Sequence, residues 1–310
     1  MRVLVTGARG FVGSAVCDAL DRAGHQVVRA VRAAEQPGDL AVGDLAHDPD
    51  WDRLLAPRPD VVVHLAARVH VMGEGSEALE RYRAVNTAAT LNLARACKRS
   101  GVRRFVFVSS VKVLGEGRDQ PYEDTDPPEP QDCYAVSKLE AEIGLQKLSN
   151  DGGMELVVLR PPLVYGPGVG ANFLRLMKAV DRGIPLPLGA IRNRRSLMSV
   201  TNLADALVRS AEHPAAPGTW LVSDGAPVST PELLRDLATA LERRAMLLPV
   251  PPGWLKLVGK LLGRQQAISR LLDSLSVDSH RFCQALDWQP PQSRSQALEH
   301  TARWYRSGLS

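Results

Sequence analysis

Five short apolar runs punctuate the first half of the chain: RVLV (2–5), QVVRAV (26–31), DVVVHLA (60–66), RFVFVSS (104–110) and ELVVLR (155–160). Polar positions hardly interrupt them, which is the pattern of strands buried on both faces. Between them, apolar residues recur at helical spacing over 14–23, 77–100 and 135–149. Such strand–helix alternation predicts an α/β fold, a Rossmann-type doubly wound parallel sheet with helices on both faces. After RPPLVYGPG (160–168) prolines multiply and helical spacing dominates, at 171–182, 202–212, 230–242 and 293–307. The chain therefore reads as an N-terminal domain over 1–165 and a smaller mixed α/β lobe over 166–310. A cleft is expected between them, and segments are free to interleave. The acid- and proline-rich stretch 116–132 is too polar to bury and predicts a surface loop.

Bulk properties narrow the function classes. The 310 residues are 45% hydrophobic and 23% charged, the balance of a globular protein with a full core. The net charge of +4 comes from scattered Lys and Arg, which argues against nucleic-acid binding. Cys17, Cys97, Cys133 and Cys283 lie far apart without metal-ligand spacing. Neither a metal site nor a disulfide framework is expected, and a reducing, cytoplasmic setting is. The N-terminus enters a strand at once, leaving no room for a signal sequence, and no apolar run approaches the length of a membrane span. PPGWLKLVGKLLG (251–263) is amphipathic, with Lys256 and Lys260 one turn apart. A core-packed helix is the expected reading there, ahead of a membrane-surface helix.

The first strand leads directly into TGARGFVG (6–13), which opens the first helical pattern. In a doubly wound fold this turn brings backbone N–H groups and a helix N-terminus to a dinucleotide pyrophosphate. Gly7 would make the tight turn, Gly10 would admit the phosphate, and Gly13 would let helix and sheet approach; Phe11 and Val12 begin the helix. NAD-binding folds usually end the second strand in an acid that accepts from the ribose 2′-hydroxyl. Here Val31 takes that place and Arg32 follows. A guanidinium binds a 2′-phosphate that a carboxylate would repel, so NADP(H) is favoured over NAD(H). The fold's geometry further places Asp44 and Leu45 near the adenine, and Leu65, Ala66 and Ala67 along the pyrophosphate.

CYAVSKLEAE (133–142) puts Tyr134 and Lys138 at i, i+4 on one helical face. A phenol with pKa near 10 is a poor acid–base at neutral pH, and a neighbouring ammonium lowers it. Upstream, the strand FVFVSS ends in Ser109 and Ser110, where the carboxyl edge of a sheet meets its ligand. A serine hydroxyl there can polarise a carbonyl.

Taken in order, TGxxGxxG, the Asn of YRAVNTAAT, SSVKVLG, YxxxK and RPPLVYGPG resemble the extended short-chain dehydrogenase/reductase family, in its nucleotide-sugar epimerase–dehydratase branch. That resemblance implies Tyr134 as catalytic acid/base, Lys138 as its pKa-setting partner and nicotinamide-ribose ligand, and Ser110 as the carbonyl hydrogen-bonder. It puts Asn86 at the family's active-site asparagine, with a role in local helix geometry equally open, and Ser109 and Pro161 at the cofactor. For a UDP-sugar substrate it implies Asn172, Leu188 of the IPLPLG run, Arg195 and Arg270 as ligands. Three positions depart from the family pattern: Cys133 for Pro, Leu114 for an aromatic, and Asn202 for Asp.

Val31 and Arg32 tilt the expectation toward NADPH-dependent reduction of a UDP-4-keto-6-deoxy-N-acetylhexosamine in surface-polysaccharide synthesis. The alternative is a UDP-glucose 4-epimerase with tightly held NAD, and a smaller one is a non-catalytic NADP sensor. Family members often pair through a four-helix bundle, for which 77–100 and 135–149 would serve in a homodimer.

Overall fold

The computed structural model describes residues 1–47, 49–69, 77–261, 263 and 265–308. Its strands are β1 (Arg2–Thr6), β2 (Gln26–Val31), β3 (Asp39–Ala41), β4 (Val61–His64), β5 (Arg104–Val108), β6 (Glu155–Arg160), β7 (Leu163–Tyr165), β8 (Leu197–Ser199) and β9 (Gly218–Leu221). The first six helices are α1 (Phe11–Arg22), α2 (Trp51–Leu55), α3 (Ala78–Tyr82), α4 (Thr90–Arg99), α5 (Cys133–Asn150) and α6 (Ala171–Asp181). The remaining helices are α7 (Val200–Glu212), α8 (Thr230–Ala240), α9 (Pro252–Leu261), α10 (Gln265–Leu272), α11 (His280–Ala285) and α12 (Arg294–Arg306).

Seven strands form one parallel sheet in the order β3-β2-β1-β4-β5-β6-β9, and β7 and β8 pair separately. The order reverses between β1 and β4, so the loops leaving their carboxyl ends diverge and open a crevice there. Successive residues of β1, β4 and β6 alternate between two cores. One face packs Val3, Val5, Val61 and Val63 against α1 and α7; the other packs Leu4, Val62, Phe105 and Phe107 against α2, α4 and α5. A third core joins β7 and β8 to α6, α8 and α12. Helix α7 lies on α1, and β9 pairs with β6 at the edge of the sheet.

Two local expectations change. The helix expected over 77–100 is α3, a π-helical stretch Arg83–Ala89, and α4. One such wide turn inside a helix commonly marks a functional site. Within the stretch 251–263 the helix forms as α9, Pro252–Leu261, but not as a core-packed element. Leu255 and Gly259 turn inward, and its larger apolar side chains face solvent.

His64, at the end of β4, is fully buried, with Nδ1 2.7 Å from Thr6 Oγ1 and Nε2 2.9 Å from Thr90 Oγ1. Burial, helped by the nearby Lys138 charge, pulls its pKa down to about 3. The unfolded chain binds a proton near pH 6.5 that the folded chain refuses. Stability contributed at this residue is therefore whole above pH 6.5 and lost as pH falls toward 3, at up to about 1.4 kcal/mol per unit. Denaturant unfolding of wild type and His64→Asn between pH 7 and 4 is expected to show the shallower slope in the variant. Equal slopes would mean that His64 is not held neutral.

Candidate active site

The crevice begins at the glycine turn. Gly7 has φ +69°, and a Cβ on it would come within 2.9 Å of the Ala66 nitrogen. A Cβ on Gly13 would sit 2.0 Å from the Gly7 carbonyl oxygen, so both positions demand glycine. Gly10 differs: a Cβ there would touch the Gly7 oxygen at 3.2 Å and otherwise meet nothing within 4 Å, its outer side being open. Helix α1 starts at Phe11 without a side-chain cap or an acid in its first turn. Its leading N–H groups thus face the crevice as a ready anion site. Thr6 Oγ1 accepts from the N–H of Leu65 at 3.2 Å and of Ala66 at 3.3 Å, fixing the β4 loop opposite that turn. Ala67 follows on the same loop.

At the edge of the crevice, Arg32 follows β2, exposed and without an ion pair among the described residues. Arg9, which no spacing singles out, leaves the glycine turn to pair with Glu35 and Asp39. Asp44 is exposed and accepts from the Ala46 N–H at 3.0 Å, capping a short turn from which Leu45 packs onto the second core.

The candidate chemical residues come from three elements. Ser109 and Ser110 leave β5, where Pro161 closes the loop by accepting from the Val111 N–H at 3.1 Å. The Ser109 hydroxyl is buried and has no partner among the described residues, as a group awaiting a ligand would be. Ser110 Oγ accepts from the Lys112 N–H at 3.2 Å. The Lys112 ammonium in turn donates to Asp132 at 2.9 Å, and Asp132 caps α5 by accepting from Ala135 N–H at 2.8 Å. One side chain thereby ties the serine loop to the helix that carries Tyr134.

On α5, Lys138 is buried, donates to the Val108 carbonyl at 2.9 Å and lies 4.6 Å above the Phe107 ring. Its nitrogen is 5.9 Å from the Tyr134 ring centroid. Burial pulls the ammonium down to about 7, with Glu142 pulling it back up. Burial also pushes the Tyr134 phenol above its usual range, reinforced by Asp132 and Tyr82. The lowering expected from the neighbouring amine is thus outweighed: desolvation raises the phenol and weakens the amine's charge together.

Asn86 is fully buried in the π-helical stretch. It accepts from the Arg68 N–H at 2.8 Å and donates to the Arg68 carbonyl and Ser137 Oγ, each at 3.0 Å. Ser137 passes this on to the Tyr134 carbonyl at 2.7 Å. Asn86 therefore holds the β4 loop to the turn of α5 that bears the phenol. Tyr82 packs edge-on to Tyr134 at 6.2 Å. Nothing in the spacing singled out Ser137 or Tyr82, since both act through partners distant in sequence.

The sugar-nucleotide candidates are less convergent. Asn172 is exposed in the first turn of α6, whereas Leu188 is buried in the third core. Arg195 donates to the Asp273 carbonyl at 2.8 Å and lines a cleft of about 910 Å3 with Asp224, Asp236 and Arg294. That cleft contains none of Ser110, Tyr134 and Lys138. The Arg270 side chain lies outside the described ones. Asn202, where the resembled pattern has Asp, donates to Asp224 at 2.7 Å. A second carboxylate there would oppose the first, so the amide is the compatible residue.

The open face at Gly10, the uncapped α1 and the unpartnered Ser109 hydroxyl fit a dinucleotide lying across β1, β4 and β5. A family model described as the NAD dependent epimerase/dehydratase family matches residues 3–222. Over 310 aligned residues, 97% of this chain and 94% of the other, the sequence is 45% identical to a UDP-glucose 4-epimerase of Vibrio cholerae. It is 30% identical, over 99% of both chains, to a UDP-glucose 4-epimerase of Mycolicibacterium smegmatis. Among solved structures, MoeE5 in complex with UDP-glucuronic acid and NAD has a TM-score of 0.80 and 26% identity, each chain being covered completely.

Proposed function

The chain belongs to the NAD dependent epimerase/dehydratase family, and on that premise we propose that it is a 4-epimerase of UDP-hexoses working with NAD(H). The 45% identity to the Vibrio cholerae UDP-glucose 4-epimerase, spread over nearly all of both chains, carries this reading. The Gly7–Gly13 turn and the α1 N-terminus would hold the cofactor pyrophosphate, Leu65–Ala67, Ser109 and Pro161 would flank it, and Lys138 would hold its nicotinamide ribose. When bound, NAD supplies a hydride acceptor and donor for the sugar's C4. Tyr134 removes the proton from the C4 hydroxyl as a ketone forms and returns it when the ketone has turned over. Ser110 donates a hydrogen bond to the same oxygen. Lys138 steadies the phenolate between these two events, and Asn86 with Ser137 holds the Tyr134 turn in register.

Incubation with UDP-galactose is expected to yield UDP-glucose with no net change in nicotinamide absorbance. Absence of interconversion, for these sugars and their N-acetyl analogues alike, would end the proposal. One observation favours a second reading, the NADPH-dependent 4-keto reductase. Val31 stands where an acid would read the ribose, and Arg32 beside it is exposed. For that enzyme, NADPH would be consumed by a UDP-4-keto-6-deoxy-N-acetylhexosamine, and Arg32→Ala would weaken NADPH but not NADH.

The Lys112–Asp132 tie gives a separate expectation. Lys112→Met is expected to lower turnover about tenfold by loosening Ser110 relative to Tyr134. Stability is expected to change by less than about 1 kcal/mol, since the pair is only partly buried. Steady-state rates and thermal melts of both proteins decide it; an unaltered rate would show that the tie does not orient the site.

A further inference from the structure

Helix α9 presents its apolar residues the wrong way round for a core helix. Trp254, Leu257, Val258 and Leu261 recur at i, i+3, i+4 and i+7 and so share one face. All four are exposed, from 44% at Val258 to 77% at Leu261. The opposite side is the one that packs: Leu255 joins the third core, and a Cβ on Gly259 would meet Ile268 at 2.6 Å. Residues preceding the helix in the chain add further exposed apolar side chains. The stretch around Met246 and Leu248 pairs with Leu186 through two backbone bonds of 2.8 Å, and Ile184, Met246 and Leu248 are exposed. Of the eleven large apolar side chains exposed among the described residues, seven therefore fall in 184–261. The rest are scattered. Four such side chains along one helix face mark a contact surface.

Charge says what covers it. Residues 243–272 contain Arg243, Arg244, Lys256, Lys260, Arg264 and Arg270 and not one Asp or Glu. These six charges exceed the net +4 of the whole chain, so the remainder of the protein is net acidic. Asp181 answers Arg243 at 3.1 Å and Asp273 answers Lys256 at 3.6 Å. Arg244 and Lys260 have no ion pair among the described residues. A second copy seated face to face would bring like charges together, whereas an anionic lipid surface satisfies both features at once. No described helix is long and apolar enough to cross a membrane.

We propose that α9 is a membrane-surface helix, its Trp254–Leu257–Val258–Leu261 stripe seated at the headgroup–acyl boundary of an anionic bilayer with Lys256 and Lys260 at its flank. Tryptophan beside lysine suits that boundary, where one side is apolar and the other charged. The inference is independent of which sugar nucleotide the crevice takes.

The test is sedimentation of the full chain with phosphatidylglycerol vesicles and with phosphatidylcholine vesicles. Binding to the first alone is expected, with release at high salt as the charges are screened. Trp254 is the most exposed tryptophan, so its emission should shift to the blue on binding. The double variant Trp254→Ser, Leu261→Gln is expected to bind at least about tenfold more weakly with an unchanged circular dichroism spectrum. If that variant fails to fold, Lys260→Glu, which leaves the stripe intact, is expected to weaken phosphatidylglycerol binding by itself. Wild-type protein that stays in solution with phosphatidylglycerol at low ionic strength overturns the proposal. So does a lipid-free wild-type dimer that the double variant cannot form, which would give the face to a second copy.

Discussion

Tyr134→Phe is expected to lose about two to four orders of magnitude in turnover while binding cofactor as wild type does. The change deletes one oxygen from a half-buried ring whose edge-on contact with Tyr82 needs only the carbon frame. Stability should therefore move by less than about 1 kcal/mol. His64 cannot stand in as the proton carrier, being fully buried with both ring nitrogens bound to threonines, and the Ser110 hydroxyl, which accepts from the Lys112 N–H, keeps its proton to donate as a hydrogen bond. Rate and nucleotide affinity, measured together, decide the matter. A variant that turns over at the wild-type rate would remove Tyr134 from the chemistry.

Lys138→Met is expected to abolish detectable turnover and, at neutral pH, to make the fold more stable. Burial holds the Tyr134 proton in place, so the phenol needs a cation nearby to release it, and Lys138 stands 5.9 Å from its ring. The same burial makes that cation costly. Its pKa of about 7 lies well below the value of an unfolded lysine. Between these two values the unfolded chain holds a proton that the folded chain releases, so this residue makes stability rise with pH through the window. Below pH 7 the full penalty remains. Methionine removes it, and a gain of about 1–3 kcal/mol at pH 6.5 is expected. By pH 10 the difference should have narrowed, because the wild-type lysine is then neutral in the fold and the pH has come close to the value of the unfolded lysine, where little of the penalty is left. Glu142, one turn further along α5, holds part of the ammonium charge in place. It is itself locked by Arg160 at 2.6 Å, both partners being buried. Denaturant melts of both proteins at the two pH values test the sign; a variant less stable at pH 6.5 would show that the Val108 and Phe107 contacts outweigh desolvation.

Much of the crevice was legible in the chain because its demands are local. A turn that brings backbone within 3 Å of backbone accepts only glycine, so Gly7 and Gly13 betray it wherever they stand after a strand. Two side chains four apart on a helix share a face whatever surrounds them, which is why Tyr134 and Lys138 were readable as a pair. The π-helical stretch was not readable, because Asn86 finds its partners 18 and 51 positions away at Arg68 and Ser137. Nor was the reason for Asn202, whose neighbour Asp224 arrives from the far end of β9.

The amino-acid sequence by itself determined the strand–helix alternation, the glycine cradle and the spacing of the chemical groups, since each follows from sterics or periodicity within a few residues. Tertiary packing decided the direction in which the proton affinities of Tyr134 and Lys138 move, because desolvation depends on what the rest of the chain brings over them. It also decided which way α9 faces. Helical periodicity specifies that an apolar stripe exists, but burial belongs to whatever is packed against it, and here the core took Leu255 and Gly259 and left the stripe outside.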